Sequence, residues 1–145
     1  MKKKRKVTPR RLVSAAAAAM LRAYCPYSRF AVGAAVLTAD NRVFTGCNVE
    51  NASYGLTVCA ERNAISAAVA AGARRITAVA VVTATGEPVP PCGACRQVIA
   101  EFATGDTVVY SAPNGRPDRL KSWTLRSLLP EAFSLVPTAT ARHAR

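Results

Sequence analysis

Three cysteines and one glutamate have the spacing of a metal site with an acid beside it. The segment "VCAER" (residues 58–62) places Cys59 two residues before Glu61, and "PPCGACRQ" (residues 90–97) adds Cys92 and Cys95. Zinc binds thiolates strongly; a structural site takes four protein ligands, whereas a catalytic site takes three and leaves one position for water. The obvious ligand set has three members, so the spacing predicts a catalytic Zn²⁺ site.

Glu61 strengthens the catalytic interpretation. At the start of a predicted helix its carboxylate can lean over the metal without binding it, take a proton from water and return it to a substrate atom. Zinc nucleobase deaminases share this arrangement, with a glutamate two residues after the first ligand and a later P-C-x-x-C. A structural site remains an alternative, because Cys25 or Cys47 could supply a fourth ligand, whereas His143 in the tail is a poor one.

The charge of the predicted site needs compensation. Three thiolates carry −3 against +2 for zinc, which makes bound water a weaker acid. Both ligand clusters precede predicted helices, so helix N-termini point toward the sulfur atoms. Arg62 and Arg96 each follow a ligand and can donate hydrogen bonds to thiolates. Surface charge is the alternative role for each arginine.

The elements that must position these residues are an alternation of helices and strands. Apolar spacing predicts a helix from Pro9 to about Tyr24, a hairpin from "AVGAAVLTA" and "RVFTGCNV", and a helix from Cys59 to about Gly72. The pattern then predicts a buried strand "ITAVAVVTA", a helix over residues 93–102 and a strand "DTVVYSA". A short terminal helix in "TLRSLLPEAF" follows and ends in a bend at Pro130. The order predicts an α/β fold with helices on both faces of a mixed sheet.

Composition limits the classes of protein further. The chain has 145 residues, enough for one domain with a core. It has no long uncharged apolar run and no secretory pattern, and five cysteines, an odd number, argue against a disulfide framework. The net charge is +12, and five of the basic residues lie in "MKKKRKV". "KKKRKV" resembles a viral nuclear-localisation signal, so residues 1–7 are interpreted as an added tag.

The segments "YCPYSRFAVGAAV", "GCNVENASYGLTVCAERNAI", "PCGACRQV" and "LLPEAF" together resemble the small homotetrameric cytidine deaminases. The resemblance covers about residues 8–133. It implies a three-layer α/β/α fold, a homotetramer, and zinc-dependent hydrolysis of cytidine and 2′-deoxycytidine to the uridines with release of ammonia. It also implies that Cys59, Cys92 and Cys95 hold the zinc and that Glu61 moves protons to the ring N3 and the leaving amine.

The resemblance also assigns the substrate contacts. The backbone N–H of Ala60 is expected to meet the pyrimidine carbonyl, and Asn48 and Glu50 are expected to hold the sugar 3′-hydroxyl. Phe30 matches an aromatic that lines the base and sugar pocket. Phe133 matches one that a neighbouring subunit contributes. Tyr54 is a weaker candidate for the subunit interface or the pocket rim.

Three other functions remain as alternatives. One is a nucleus-targeted enzyme acting on cytosine in single-stranded DNA, although the chain has no dedicated set of stacking aromatics outside the family motifs. Another is a blasticidin-S-type deaminase, which shares the zinc motif. The third is a structural zinc module that binds nucleic acid.

The expected organisation is a basic tag at residues 1–7, a deaminase domain at 8–136 and a frayed tail at 137–145. The expected partners are a nucleoside and further copies of the chain, with nucleic acid reached only through the tag or in the DNA-acting alternative, and no membrane. The expected location is cytoplasmic, or nuclear where the tag operates.

Overall fold

The computed structural model describes residues 6–135, which form a five-stranded mixed sheet with helices on both faces. The elements are α1 (Pro9–Met20), β1 (Val32–Thr38), β2 (Val43–Cys47), α2 (Ala60–Ala70), β3 (Ile76–Thr83), α3 (Gly93–Phe102), β4 (Val108–Pro113), β5 (Lys121–Thr124) and α4 (Leu125–Leu128). Residues 1–5 of the predicted tag, and residues 137–145 of the predicted tail with His143, lie outside the described residues. No helix within residues 6–135 is long and apolar enough to cross a bilayer.

The strand order is β2-β1-β3-β4-β5. β1 pairs antiparallel with both β2 and β3, β3 pairs parallel with β4, and β4 pairs antiparallel with β5. β3 is almost wholly buried, as its continuous apolar sequence predicts. α1 packs on one face of the sheet, and α2 and α3 pack on the other. The predicted α/β fold with a mixed sheet is confirmed.

Two glycines let helices lie directly on the hairpin. A Cβ atom on Gly33 would come within 2.0 Å of the Ala16 carbonyl oxygen in α1. One on Gly46 would come within 2.5 Å of the Ala60 oxygen and the Ala64 nitrogen in α2. Neither helix could pack at its present distance over any larger residue, so these glycines fix the depth at which α1 and α2 sit.

The first helix begins as predicted but ends earlier. Pro9 occupies its first turn, and the Thr8 hydroxyl caps it by accepting from the Arg11 N–H at 3.3 Å. The predicted end near Tyr24 is wrong by about one turn. Tyr24 instead pairs with the strand end: its N–H donates to the Asn48 oxygen at 3.0 Å, and its oxygen accepts from the Glu50 N–H at 2.8 Å. Tertiary pairing thus overrides the helical pattern here.

The sequence pattern missed β5. Residues 121–123 belong to no predicted element and Thr124 to the predicted terminal helix, yet residues 121–124 form a short edge strand in which Trp123 lies opposite Val109. The predicted short helix in "TLRSLLPEAF", with a bend at Pro130, corresponds to α4, which ends before that proline. Leu129 lies outside the helical region at φ −143°, as expected for a residue that precedes a proline.

Candidate active site

Two of the three cysteines lie where helices begin. Cys59 is the N-cap residue of α2, and Cys92 is the N-cap residue of α3. Cys95 follows one turn into α3 and is fully buried. Helix N-termini carry partial positive charge, so both helices stabilise negative charge on the sulfur atoms. The sequence-predicted position of the ligand clusters is therefore reproduced by the fold.

The three sulfur atoms are spaced as one metal ion requires. The Sγ atoms of Cys59, Cys92 and Cys95 all lie within 4.8 Å of one another, and those of Cys59 and Cys92 are 3.9 Å apart. A tetrahedral zinc with Zn–S bonds of about 2.3 Å would separate its sulfur ligands by about 3.8 Å. Within residues 6–135 no fourth ligand joins this group, and the Cys47 thiol instead donates to the Arg22 oxygen at 3.4 Å. The donor set fits Zn²⁺ with a fourth position left over.

The thiols influence one another strongly. A hydrogen bond from the Cys95 thiol, together with the nearby Arg62, lowers the pKa of Cys59 to about 5. The pKa of Cys95 is raised in turn, because its proton is held by Cys59 and because it is buried. The cluster by itself therefore favours one thiolate over three. A bound divalent cation would remove that conflict by accepting all three sulfurs as thiolates.

Glu61 lies beside the sulfurs in the first turn of α2. Glu61 is only 4% exposed, and this burial raises the pKa of its carboxyl group. The negative charge of a Cys59 thiolate raises it further. A carboxyl group with a raised pKa holds a proton more readily than a free one, which favours a role in general acid–base catalysis.

The two arginines beside the ligands have different roles. Arg62 Nη2 donates to the Thr57 oxygen at 2.9 Å and lies 3.8 Å from Cys59 Sγ, so its charge is held next to a ligand. Arg62 Nε is buried and has no partner among the residues that the structure describes. Arg96 instead donates to the oxygens of Pro91 and Leu128, at 2.7 and 2.9 Å. Arg96 thus joins the loop before α3 to α4, and its described hydrogen bonds do not reach a sulfur.

A cavity of about 430 Å³ opens beside this cluster. Its lining includes most of the predicted site residues, namely Phe30, Asn48, Glu50, Cys59, Ala60, Glu61 and Cys92. Cys95 is fully buried in the core and does not line the cavity. Thr83, Val89 and Pro90 also line it, and these the sequence did not single out. The cavity has the size of a small-molecule site.

Asn48 serves the local fold as well as the cavity. Its Nδ2 donates to the Phe30 oxygen at 2.7 Å, and its Oδ1 accepts from the Val32 N–H at 2.8 Å. The amide therefore fixes the segment that carries the Phe30 ring. A side-chain amide has two N–H donors, so one remains for a ligand.

Glu50 is held by Tyr27 and Ser28, in the loop between α1 and β1. Its Oε2 accepts from the N–H groups of Tyr27 and Ser28, at 2.9 and 3.2 Å, and its Oε1 accepts from the Ser28 hydroxyl. The Ser28 hydroxyl lowers the pKa of the carboxyl group most, and the two N–H groups add to this. The carboxylate is thus kept ionised. A serine two residues before a pocket aromatic is the signal that could have indicated this role.

Phe133 and Tyr54 lie apart from the cavity. Phe133 is 69% exposed and, within residues 6–135, does not line the cavity of its own chain. Its backbone oxygen accepts from Gln97 Nε2 at 3.0 Å, which attaches the segment to α3. Tyr54 is exposed, with its ring centroid 5.9 Å from that of Tyr27.

Residues 6–111 match the family described as cytidine and deoxycytidylate deaminase zinc-binding region. The chain belongs to this deaminase family. A cytidine deaminase of Halalkalibacterium halodurans is 55% identical over 112 residues, which are 77% of this chain and 83% of that protein. A cytidine deaminase of Mycobacterium tuberculosis is 51% identical over 113 residues, covering 78% of this chain and 80% of the relative.

Solved structures give the same result. The crystal structure of cytidine deaminase from Burkholderia pseudomallei aligns with a TM-score of 0.82 at 48% identity, over 88% of this chain and all of that one. The structure of the Mycobacterium tuberculosis enzyme aligns with a TM-score of 0.77 at 45% identity, over 90% of this chain and all of that one. The chain therefore shares the α/β fold of solved cytidine deaminases.

Proposed function

We propose that the chain is a zinc-dependent hydrolase that converts cytidine and 2′-deoxycytidine to the corresponding uridines and ammonia. The observation that carries the proposal is the three-cysteine cluster with a buried glutamate beside it, at the wall of a cavity of nucleoside size. Family membership at 55% identity to a cytidine deaminase supports the same substrate class.

Cys59, Cys92 and Cys95 would hold the zinc ion. When bound, zinc would lower the pKa of water and so supply the nucleophile for hydrolysis near neutral pH. The surplus negative charge of three thiolates is offset by the N-termini of α2 and α3 and by Arg62, which lies 3.8 Å from the Cys59 sulfur.

Glu61 would move the protons of the reaction. Its raised pKa suits a carboxylate that takes one proton from water and passes it to the ring N3. The same carboxylate would then take the second proton of that water and pass it to the leaving amino group. Burial at 4% exposure excludes bulk water from the same position, so the proton is delivered within the site. Hydrolysis then releases ammonia and leaves the carbonyl of the uracil ring.

The first turn of α2 would orient the base. Ala60 is the first residue of that helix, is fully buried and lines the cavity. N–H groups in the first turn of a helix have no partner within the helix, so the Ala60 N–H is suited to donate to the pyrimidine carbonyl oxygen.

Asn48, Glu50 and Phe30 would bind the rest of the nucleoside. The remaining N–H of Asn48 can donate to the 3′-hydroxyl oxygen, and the ionised Glu50 can accept the hydroxyl proton. The Phe30 ring, 40% exposed and at the cavity wall, offers an apolar surface to the base and sugar. This set requires a free hydroxyl, which supports a nucleoside substrate over a DNA strand.

A homotetramer would complete the site. Phe133 is exposed and apart from its own cavity, which suits an aromatic that enters the cavity of a neighbouring subunit. Exposed Tyr24, Tyr27, Tyr54 and Leu56 offer further apolar area for such contacts. Light scattering of the purified protein should give four times the chain mass of 15.3 kDa.

The proposed organisation keeps residues 1–7 as a basic nuclear-localisation tag, residues 8–136 as the deaminase domain and 137–145 as a tail. The tag would direct the protein to the nucleus of a eukaryotic cell, and the domain without it would stay in the cytoplasm. Its five basic residues also make it the part best suited to nucleic acid.

The deciding experiment is ammonia release, compared for cytidine, deoxycytidine, blasticidin S and an oligonucleotide with one internal cytosine. Rapid release from the two nucleosides with little from the others supports the proposal. A preference for the oligonucleotide or for blasticidin S would replace it with the corresponding alternative. No release from any of the four would favour a structural zinc module.

A further inference from the structure

The hydrogen-bond donors to the Glu50 carboxylate all come from one short loop. Glu50 is only 6% exposed. It takes part in none of the four ion pairs found in the described part of the chain. All three of its described donors come from consecutive residues, through the N–H groups of Tyr27 and Ser28 and the Ser28 hydroxyl. Its orientation therefore depends on one short loop rather than on a cation.

The Ser28 hydroxyl both donates and accepts a hydrogen bond. Its single hydrogen is donated to Glu50 Oε1, and its oxygen accepts from the Phe30 N–H at 3.0 Å. The Phe30 oxygen in turn accepts from Asn48 Nδ2 at 2.7 Å. Ser28 thus connects the Glu50 carboxylate to the backbone of Phe30. The Phe30 backbone in turn connects it to the side-chain amide of Asn48.

The loop around Ser28 has a defined shape. Arg29 adopts a left-handed conformation with φ 57°, and its N–H donates to the Cys25 oxygen at 2.9 Å. This turn points consecutive backbone N–H groups at the same carboxylate oxygen. The backbone of the loop, and not only the Ser28 hydroxyl, therefore holds the carboxylate in place.

The number of acceptor positions on Glu50 sets what it can bind. A carboxylate has about four lone-pair positions on its two oxygens. Three are used by the loop, and the fourth lies on Oε1, the oxygen that Ser28 contacts. One further donor can be accepted there, which matches a single sugar hydroxyl.

We propose that Ser28 is a positioning and specificity-determining residue, whose hydroxyl aims Glu50 Oε1 at one hydroxyl of the substrate sugar. The inference rests on the proposed function, since it assigns that hydroxyl to the 3′-position of a nucleoside. Ser28 itself performs no proton transfer. Its effect is on binding of the sugar, through Glu50.

The test compares wild type and Ser28→Ala on cytidine and on 3′-deoxycytidine. The variant should raise KM for cytidine about tenfold with kcat within about twofold, as expected when binding common to ground and transition states is lost. On 3′-deoxycytidine, which lacks the hydroxyl, the same substitution should change kcat/KM by less than about twofold, since no hydroxyl is left to position.

Ser28→Thr is the matched control. It keeps the hydroxyl, and position 28 is exposed enough to take a methyl group, so KM for cytidine should return to near the wild-type value. Thermal unfolding of all three proteins verifies that they fold. The inference about Ser28 would be overturned if Ser28→Ala lost kcat/KM equally on both nucleosides. It would also be overturned if Ser28→Thr had a KM for cytidine as high as that of Ser28→Ala. Neither result would affect the proposed function. Failure of the wild type to deaminate cytidine would overturn the proposed function and the inference together.

Discussion

Gly46→Ala would place a methyl group where the backbone of α2 already lies. The added Cβ would be 2.5 Å from both the Ala60 oxygen and the Ala64 nitrogen, well inside ordinary van der Waals contact. Both neighbours are main-chain atoms, so no side chain can rotate out of the way. α2 must therefore move off the sheet, and it carries Glu61 and is capped by Cys59.

The magnitude follows from that displacement. Restoring ordinary contact requires a shift of about 1 Å, and overpacking of this kind costs about 1–3 kcal/mol. We expect the upper end because the clash is with backbone, which corresponds to a fall in Tm of about 10 °C for a chain of this size. A misplacement of about 1 Å at a catalytic group can cost about 10²-fold in rate.

The assay measures thermal unfolding, zinc content and kcat/KM for cytidine on Gly46→Ala. Gly86→Ala is the matched control, because a Cβ there meets nothing within 4 Å. The control should unfold and react like wild type. A Gly46→Ala protein with wild-type Tm and wild-type turnover would refute the claim that this glycine sets the depth of α2.

Three further predictions concern the sugar site and the N-terminus. Glu50→Ala should reduce kcat/KM for deoxycytidine more than for an oligonucleotide with an internal cytosine; an equal loss on both would argue against the 3′-hydroxyl contact. Because the pKa of Glu50 is lowered from 4.5 in the folded state, the stability it contributes is present above that value and is lost as the pH falls below it. The difference in unfolding free energy between wild type and Glu50→Gln should therefore shrink on acidification through that range, and a difference that grew would contradict the assignment. Deleting residues 2–6 should leave cytidine turnover nearly unchanged while weakening salt-sensitive retention on nucleic acid; a large loss of turnover with folding intact would show that the basic segment belongs to the enzyme.

Much of the fold could be predicted because its elements have strong local signals. Thr8 and Pro9 indicate the start of α1, and the continuous apolar run of residues 76–83 predicts the buried strand β3. β5 has no such signal: it is four residues long, mostly exposed, and depends on pairing with β4. The early end of α1 likewise depends on the contact of Tyr24 with the strand end around Val49.

The site residues, like the elements of the fold, could be predicted only where the signal is local in the sequence. Cysteine spacing and the position of Glu61 express ligand chemistry directly in the sequence, so the cluster was predictable. The role of Ser28 was not, because it depends on a loop of residues 25–29 meeting a carboxylate 22 residues further along the chain. For Arg96 the local signal was misleading. Its position next to Cys95 suggested a contact with sulfur, whereas its guanidinium donates to backbone oxygens of Leu128 in α4 and of Pro91 in the loop before α3.

The central claim is that Glu61 moves the protons of a hydrolysis carried out at the three-cysteine zinc site. The most direct measurement is kcat for ammonia release from cytidine by wild type and Glu61→Gln, with zinc content determined on the same samples. Glutamine has nearly the same shape as the buried glutamate, so both proteins should fold and hold one zinc ion per chain. We predict a loss of at least about 10²–10⁴-fold, the usual worth of general acid–base catalysis. A Glu61→Gln protein with full zinc and a rate within about tenfold of wild type would contradict the account.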